Sequence, residues 1–336
     1  MKHVNSSIKG QKVEMKIRYL CKPSALNIQP GNGLERGAAI KFALNELMKV
    51  NVSLQNIVYG DDVFVTILPF SQQDSFLMCP VNAQESVKKL VLEKGGFVSQ
   101  KRSTEAVAEF LTDIYPNKYQ SKHCLIHSIY FDMDGVLREE ERLDQNLPFF
   151  SILTDYIKNC KGPYTASPPI SIATGAYRKS LMSALDYIPL NKHTISARFH
   201  RNEPPLAWPP IIYEEGYLVF DPVNEITLDL TEEKYGLVSP VYRKLITLIM
   251  GLGKKINERV PEINKEIGAE CKITPTERVG YNLDLPLEVR RGDLEDLRSA
   301  HAVIYNRIRD LFEKHLPHEI EIEFGGLFSQ NELEQM

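Results

Sequence analysis

Residues 128–137, with the sequence SIYFDMDGVL, contain the most informative pattern in the chain. A short apolar run typical of a buried strand is followed at once by two carboxylates, Asp132 and Asp134. Gly135 then permits a sharp exit from the strand. Ligands of open α/β sheets bind beyond the carboxyl ends of the strands. The segment therefore predicts a strand that delivers two acids to a functional site, and a solvated Asp-Gly turn is the alternative.

Strand and helix patterns alternate on both sides of this segment, which predicts an α/β fold with a parallel sheet and helices on both faces. The sequences NIVYGDD at residues 56–62 and PPISIATGA at residues 168–176 are typical of strands that end in polar residues. The pattern changes after Pro209 to a hairpin, long helical patterns as far as 293–316, and short strands such as EIEIEF at 319–324. This change predicts a second, α+β domain.

The length and charge of the chain limit the classes of function. Its 336 residues are enough for two domains. The formal net charge of -4, from 40 basic and 44 acidic residues, gives no electrostatic reason to expect nucleic acid as a partner. The five cysteines are scattered and odd in number, which argues against a disulfide framework or a zinc site and predicts a cytoplasmic protein. No apolar run reaches the roughly 18 residues of a membrane span, so no membrane association is expected.

The residues from Asp132 to Val136 resemble the DxDG(T/V) signature of phosphatases of the haloacid dehalogenase (HAD) superfamily. The resemblance implies that Asp132 is a nucleophile that becomes transiently phosphorylated, and that Asp134 is the general acid and base. Thr174, after the apolar run 170–173, resembles the family's second motif, whose hydroxyl holds the transferring phosphoryl group. Outside this context a threonine there equally fits a helix cap.

The segment 210–221, PIIYEEGYLVFD, resembles a hairpin in the branch of the superfamily that includes Cof-type and sucrose-phosphate phosphatases. Glu215 stands where that branch usually has asparagine. In the branch the hairpin leads into an α/β cap domain of the C2 type, which fits the change of pattern after residue 222. An ordinary hairpin with a glycine in its turn is the alternative.

The remaining motifs of the family are expected after the cap, but similar sequences occur here in family order within residues 26–111. We therefore predict a circularly permuted, Rossmann-like core, and a fusion of two fragments is the alternative. The predicted core spans 26–222, with its second half at 26–120 and its first half at 121–222, and the predicted cap combines 223–330 with 1–25.

Residues in these displaced motifs complete the expected site. Arg36 takes the place of the family's third-motif lysine, and a guanidinium is not a neutral replacement for an ammonium. Asp61 resembles the family's metal ligand, whereas Val65 takes the place of a second acid. The resemblance implies one Mg²⁺, held by Asp132, the backbone carbonyl of Asp134, and Asp61. The expected substrate-binding residues are Gly175, Lys41 and Arg178.

The resemblance implies a Mg²⁺-dependent phosphatase that hydrolyses a small, sugar-phosphate-like metabolite through an aspartyl-phosphate. The departures at Arg36, Val65 and Glu215 leave a second interpretation open, a phosphometabolite-binding or regulatory protein with a weakened site. A phosphomutase, which returns the phosphoryl group to its substrate, is a third. The metabolite is the expected partner, and a homo-oligomer is compatible with the sequence. The expected catalytic residues are Asp132, Asp134, Thr174 and Arg36.

Overall fold

The fold is given by a computed structural model that describes most of the chain up to Asp284 and a few residues beyond it. The chain divides into two compact units, one formed by Leu34–Leu230 and the other by Met1–Gly33 with Thr231–Met336. The described residues are 2–8, 11–22, 25–30, 34–119, 126–139, 147–199, 208–251, 253–275, 281–284, 299–300, 302–304, 306–307 and 310.

The strands and helices are numbered along the chain. The strands are β1 Lys2–Ile8, β2 Gln11–Lys22, β3 Ala25–Pro30, β4 Ile57–Gly60, β5 Phe76–Cys79, β6 Phe97–Val98, β7 Ser128–Phe131, β8 Ile170–Ile172, β9 Ile211–Tyr213, β10 Leu218–Asp221, β11 Ile226–Asp229, β12 Lys272–Pro275 and β13 Tyr281–Asp284. The helices are α1 Arg36–Phe42, α2 Phe64–Gln72, α3 Glu85–Glu93, α4 Ser103–Glu109, α5 Leu147–Asn159, α6 Arg178–Leu185, α7 Lys192–Phe199, α8 Pro240–Gly251 and α9 Gly253–Ile267.

The unit Leu34–Leu230 is built on a five-stranded parallel sheet in the order β6-β5-β4-β7-β8, flanked by helices. The predicted α/β architecture is confirmed at this level. Four of these strands are buried along their whole length, namely β4, β5, β7 and β8. This burial is expected for the mostly apolar strands of a parallel sheet that is covered on both faces. Aromatic rings pack beside the sheet, where Phe110 lies against Phe76 and Phe131.

The register of the sheet brings three strand ends to one level. Gly60 at the end of β4 pairs with Phe131 at the end of β7, and Phe131 also pairs with Ile172 at the end of β8. The residues that follow these three strands therefore emerge side by side at one edge of the sheet, where the sequence predicts the site.

A three-stranded antiparallel sheet in the order β11-β10-β9 adjoins β8, because a single bridge links Ala173 to Ile212. β9 and β10 form the predicted hairpin, which is confirmed. β11 pairs with β10, and the unit consequently continues to Leu230, past the boundary predicted after residue 222.

The other unit contains a five-stranded antiparallel sheet in the order β1-β2-β3-β13-β12, together with α8 and α9. Residues 26–30, predicted to open the core, lie in β3 of this sheet because β3 pairs with both β2 and β13. The core unit therefore begins at Leu34. The helical pattern predicted at 293–316 lies mostly, and the strand predicted at 319–324 entirely, outside the described residues.

None of the helices in the described part of the chain combines the length and the apolar character that a membrane crossing requires.

Candidate active site

Backbone hydrogen bonds hold the three strand ends together beyond the sheet itself. The amide of Asp132 donates to the carbonyl of Gly60 at 2.8 Å, and the amide of Ala173 donates to the carbonyl of Phe131 at 2.9 Å. The amide of Thr174 donates to the carbonyl of Ile212 in β9 at 2.9 Å. Asp132 and Thr174 are thus fixed as neighbours by the fold, with no contribution from their side chains.

Three carboxylates converge at this edge. Asp61 follows β4, Asp62 comes next, and Asp132 follows β7, and one oxygen from each lies within 4.8 Å of the other two. Asp61 and Asp132 are fully buried, while Asp62 is partly exposed. The predicted convergence of Asp61 with Asp132 is present, and Asp62 joins them.

The carboxylate of Asp132 is the least satisfied group of the site. Its side chain is fully buried, yet neither oxygen accepts a hydrogen bond from the described part of the chain. The nearest cation is Arg36, whose Nη1 lies 3.4 Å from Asp132 Oδ1. Buried polar groups are almost always hydrogen-bonded, and the exceptions mark functional sites or unseen ligands. The orphaned oxygens of Asp132 can therefore accept a ligand.

Asp61, by contrast, is held from four directions. Its Oδ1 accepts the amides of Asp62 and Val63 at 2.7 and 2.9 Å. Its Oδ2 accepts the hydroxyl of Tyr59 at 2.6 Å and Nη1 of Arg36 at 3.1 Å. Asp61 is consequently a fixed negative charge, whereas Asp132 keeps its oxygens for another partner.

Arg36, at the first turn of α1, is the positive centre of the cluster and is almost fully buried. Its Nη1 also donates to the hydroxyl of Tyr59 at 2.9 Å and to the carbonyl of Ala173 at 3.2 Å. Burial by itself lowers the pKa of Arg36, but its neighbours outweigh burial and raise it well above the ordinary value. Those neighbours, strongest first, are Glu215, Tyr59, Asp132 and Asp61. The guanidinium is therefore a permanent charge.

Tyr59 links this cation to the acidic cluster. Burial raises the pKa of Tyr59 well above its ordinary value, so the hydroxyl keeps its proton and donates it to Asp61. The ring stacks on Phe70 with 3.8 Å between centroids. The packing of this ring thus sets the position of the hydroxyl.

Glu215 binds Arg36 through both of its oxygens, at 3.1 Å from Nε and 3.2 Å from Nη2. It lies at the tip of the β9–β10 hairpin, where Glu214, Glu215 and Gly216 all have positive φ angles of 47°, 56° and 104°. Left-handed backbone is costly for glutamate, by about 1–3 kcal/mol at each such residue. The tip is therefore strained, and its side-chain contacts offset that strain.

Thr174 and Gly175 form the turn after β8. Thr174 is fully buried, and its Oγ1 accepts the amide of Ala176 at 3.2 Å. Its hydroxyl proton is not used in that bond and has no acceptor among the described residues. A side-chain carbon on Gly175 would overlap Oε1 of Glu215, so only glycine fits between this turn and the hairpin tip.

Asp134 lies on the loop after Asp132, partly exposed, in an ion pair with Nε of Arg138. Arg138 is itself held by hydrogen bonds to the Tyr187 hydroxyl and to Ser180 Oγ in α6. A side chain on the next residue, Gly135, with φ +77°, would overlap Oδ2 of Asp62. The two acids of the motif are therefore aimed differently, one at the cluster and one at Arg138.

Lys41 and Arg178, expected to bind substrate, lie exposed on α1 and α6. Within the described residues neither makes a hydrogen bond or an ion pair with the cluster around Asp132. Their part in substrate binding stays a prediction.

Sequence reasoning missed several members of the site. Tyr59 was part of an apolar strand pattern, and nothing in that pattern distinguishes it from a core tyrosine. Asn82 lies within the range of the displaced motifs, residues 26–111, where nothing singles it out, yet its side chain donates to the Gly135 carbonyl at 3.2 Å and accepts the Ser103 amide at 3.1 Å. Glu215 was visible only as a departure from a family pattern. The adjacent acids of Gly60-Asp61-Asp62 were the one signal that pointed to Asp62.

The donor set fits a divalent cation. The described cluster places the charges of Asp61, Asp62, Asp132 and Glu215 around one guanidinium, a formal excess of three negative charges after Arg36 is subtracted from four. Carboxylate oxygens are the ligands that Mg²⁺ prefers, and the two orphaned oxygens of Asp132 provide them without breaking a protein hydrogen bond. Asp132 is a better anchor than Asp61, because both oxygens of Asp61 already accept hydrogen bonds.

Comparison of the chain with protein-family models, curated proteins and solved structures finds no match.

Proposed function

We propose that the chain is a Mg²⁺-dependent phosphomonoesterase that uses Asp132 as its nucleophile. The observation that carries the proposal is the buried carboxylate of Asp132, which has no hydrogen-bond donor within the described residues and lies beside a permanent cation and two further acids. A nucleophile needs such unengaged oxygens, and an anionic phosphate needs Arg36.

In the first step an oxygen of Asp132 attacks phosphorus and the ester P–O bond breaks. The leaving oxygen takes a proton from Asp134, which lies two residues after Asp132 but is aimed toward Arg138 and so does not compete for phosphorus. Arg36 and the Thr174 hydroxyl hold non-bridging phosphoryl oxygens, where charge develops in the transition state.

In the second step Asp134 takes a proton from water, which attacks the aspartyl-phosphate. Inorganic phosphate leaves and Asp132 is restored. Bound Mg²⁺ would supply charge neutralisation and orientation of the phosphoryl group. Asp132, Asp61 and Asp62 would hold it, and the backbone carbonyl of Asp134 would be the fourth donor.

We further propose a circularly permuted core of the HAD type. The pairing of two strands supports this proposal. Strand β4 precedes Asp61 in the predicted core segment 26–120, and it pairs directly with β7, which precedes Asp132 in the segment 121–222. Both strands lie in one compact unit, Leu34–Leu230. The substrate proposed from the sequence is a small phosphorylated metabolite, with a C2-type cap as the selecting domain.

Phosphate release tests this function. The full chain should hydrolyse p-nitrophenyl phosphate or members of a phosphometabolite panel with Mg²⁺, and EDTA should stop the reaction. Asp132→Asn should lower kcat by at least about a thousandfold, because an amide cannot act as the nucleophile. Asp155→Asn, at an exposed aspartate of α5, is the matched control and should keep full turnover. Equal rates for Asp132→Asn and the control would refute the assignment.

A phosphometabolite-binding protein is the second candidate. Asp132 is fully buried, and most N–H groups of Arg36 already donate hydrogen bonds to other residues of the protein. Such a protein would bind phosphate esters in a calorimeter without releasing phosphate. A phosphomutase would move the phosphoryl group between positions of its substrate, which phosphorus NMR of the products separates from hydrolysis.

A further inference from the structure

Two departures from the family pattern, Arg36 and Glu215, are in contact with each other across 179 residues of sequence. Glu215 grips one edge of the guanidinium through both oxygens. A two-pronged bond of this kind fixes the plane of the guanidinium as well as its position. The geometry therefore couples the two residues into one unit.

The N–H donors of Arg36 show which part of the guanidinium is left to bind a ligand. A guanidinium has five N–H donors. Nε and one hydrogen of Nη2 go to Glu215, and both hydrogens of Nη1 go to the ring of acceptors formed by Tyr59, Asp61 and Ala173. One N–H of Nη2 is left without an acceptor within the described residues. Nη2 lies beside Gly175, where an added side-chain carbon would come within 2.8 Å of it.

The backbone at the hairpin tip adds independent support. Glu215 has φ 56°, a conformation in which asparagine is enriched and glutamate is not. Gly216 seats the tip against the start of α1, because an added carbon there would lie 2.9 Å from the backbone of Glu35. A side chain held in unfavourable backbone at a functional cluster indicates that the side chain itself is required.

We propose that Glu215 is a positioning residue that orients Arg36 so that its remaining Nη2 donor faces the Thr174–Gly175 turn and binds a phosphoryl oxygen. Gly175 contributes to the same arrangement, because the absence of a side chain there leaves room for the Glu215 carboxylate. This inference rests on the proposed function and names how its cation is held.

Binding of inorganic phosphate to the full chain tests the proposal. If Glu215 acts only through its charge, its substitution should raise the affinity for phosphate, and if it positions Arg36, the substitution should lower that affinity. Removing the charge of Glu215 favours an anion on electrostatic grounds alone. Positioning predicts the reverse: Glu215→Gln should weaken phosphate binding in calorimetry with Mg²⁺ by about tenfold, the typical worth of a charge-assisted bond. It should also lower kcat for p-nitrophenyl phosphate. Glu225→Gln removes an exposed charge that pairs with Lys192 and should change neither quantity.

Gly175→Ala is the second variant, and it displaces Glu215 without changing any charge. It should weaken phosphate binding as Glu215→Gln does, with folding checked by the melting temperature. Phosphate binding by Glu215→Gln that equals or exceeds the wild type overturns the proposal. Wild-type chain that binds phosphate but hydrolyses no ester refutes the phosphatase, and the affinities of the variants still decide the positioning role. Wild-type chain that binds no phosphate refutes both.

Discussion

At the scale of the residue, Arg36 explains how four acids can share one buried corner. A buried charge without a partner is very costly, and removing one member of a buried pair typically costs about 3–5 kcal/mol. Here the guanidinium contacts Asp61, Asp132 and Glu215 at 3.1–3.4 Å. The acids still exceed the cation, which supports the proposal that a divalent cation binds here.

The Tyr59 hydroxyl is a small group with a measurable share in this arrangement. Tyr59→Phe should lower the free energy of unfolding by about 1–3 kcal/mol, because it removes a buried donor to Asp61 and an acceptor from Arg36 while keeping the stacked ring. Urea unfolding measures the change.

Tyr130→Phe is the control, since Tyr130 is equally buried but its hydroxyl donates to the Pro210 carbonyl over a longer 3.4 Å. It should cost less than Tyr59→Phe. Equal losses would show that Tyr59 contributes only as a core tyrosine.

The sequence predicts the convergence of Asp61, Arg36 and Asp132, since motif order and parallel strands alone place residues at one sheet edge. It does not predict which oxygens are satisfied. That depends on distances such as 2.6 Å from Tyr59 to Asp61, which arise only when β4, β7 and α1 pack together. For the same reason the pairing of Arg36 with Glu215 was invisible as long as each was considered alone.

Among the strands, β7 has chemically different residues at its two ends. Asp132 follows its carboxyl end, and His127 precedes its amino end, with its ring against Tyr164. Burial lowers the pKa of His127 to about 4 from the ordinary 6.5. The neutral ring is thus preferred in the folded chain.

A linked loss of stability in acid follows from that shift. The unfolded chain takes up the proton near pH 6.5 and the folded chain only near pH 4. Stability contributed by His127 is full above pH 6.5 and falls as pH drops toward 4, by on the order of 1 kcal/mol per pH unit. His127→Phe should flatten this part of the urea-unfolding pH profile. His193→Phe, at an exposed histidine of α7, should leave the slope in place; an unchanged slope in His127→Phe contradicts the assignment.

Element prediction succeeded where local patterns decide the structure. The alternation of strand and helix patterns predicts helices before residues 128–137, and α1 is one of them. It begins at Arg36 and continues as a wider π-helical turn over Ala43–Leu47. The sequence gives no signal for that widening, since it depends on packing. The placement of β3 was also beyond local pattern, because an apolar strand fits a parallel or an antiparallel sheet equally well until its partners are known.

In the whole molecule, the chain leaves one of its two units and later returns to it. The core unit is one continuous stretch, Leu34–Leu230, inserted between the two parts of the other unit. The sequence anticipated a continuous core flanked by a split second domain but set both boundaries too early. Strand pairing, which joins β3 to β2 and β11 to β10, decided where the boundaries fall.

Metal binding should therefore stabilise only the unit Leu34–Leu230 against unfolding. Asp61, Asp62 and Asp132 all belong to Leu34–Leu230. A ligand that binds only the folded form raises stability by RT ln(1 + [L]/Kd), about 2.7 kcal/mol at a hundredfold excess over Kd. Scanning calorimetry of the full chain in EDTA should show two transitions, and saturating Mg²⁺ should raise the melting temperature of only one of them by several degrees.

Asp132→Asn assigns that transition. It removes one of the crowded charges and replaces one of the two orphaned oxygens with an amide nitrogen, so in EDTA the affected transition should move upward, while its response to Mg²⁺ should shrink or vanish. The second transition should be the same in both proteins and under both conditions. A Mg²⁺ shift that persists undiminished in Asp132→Asn would place the metal elsewhere, because no cation bound through Asp132 can be indifferent to the loss of its charge.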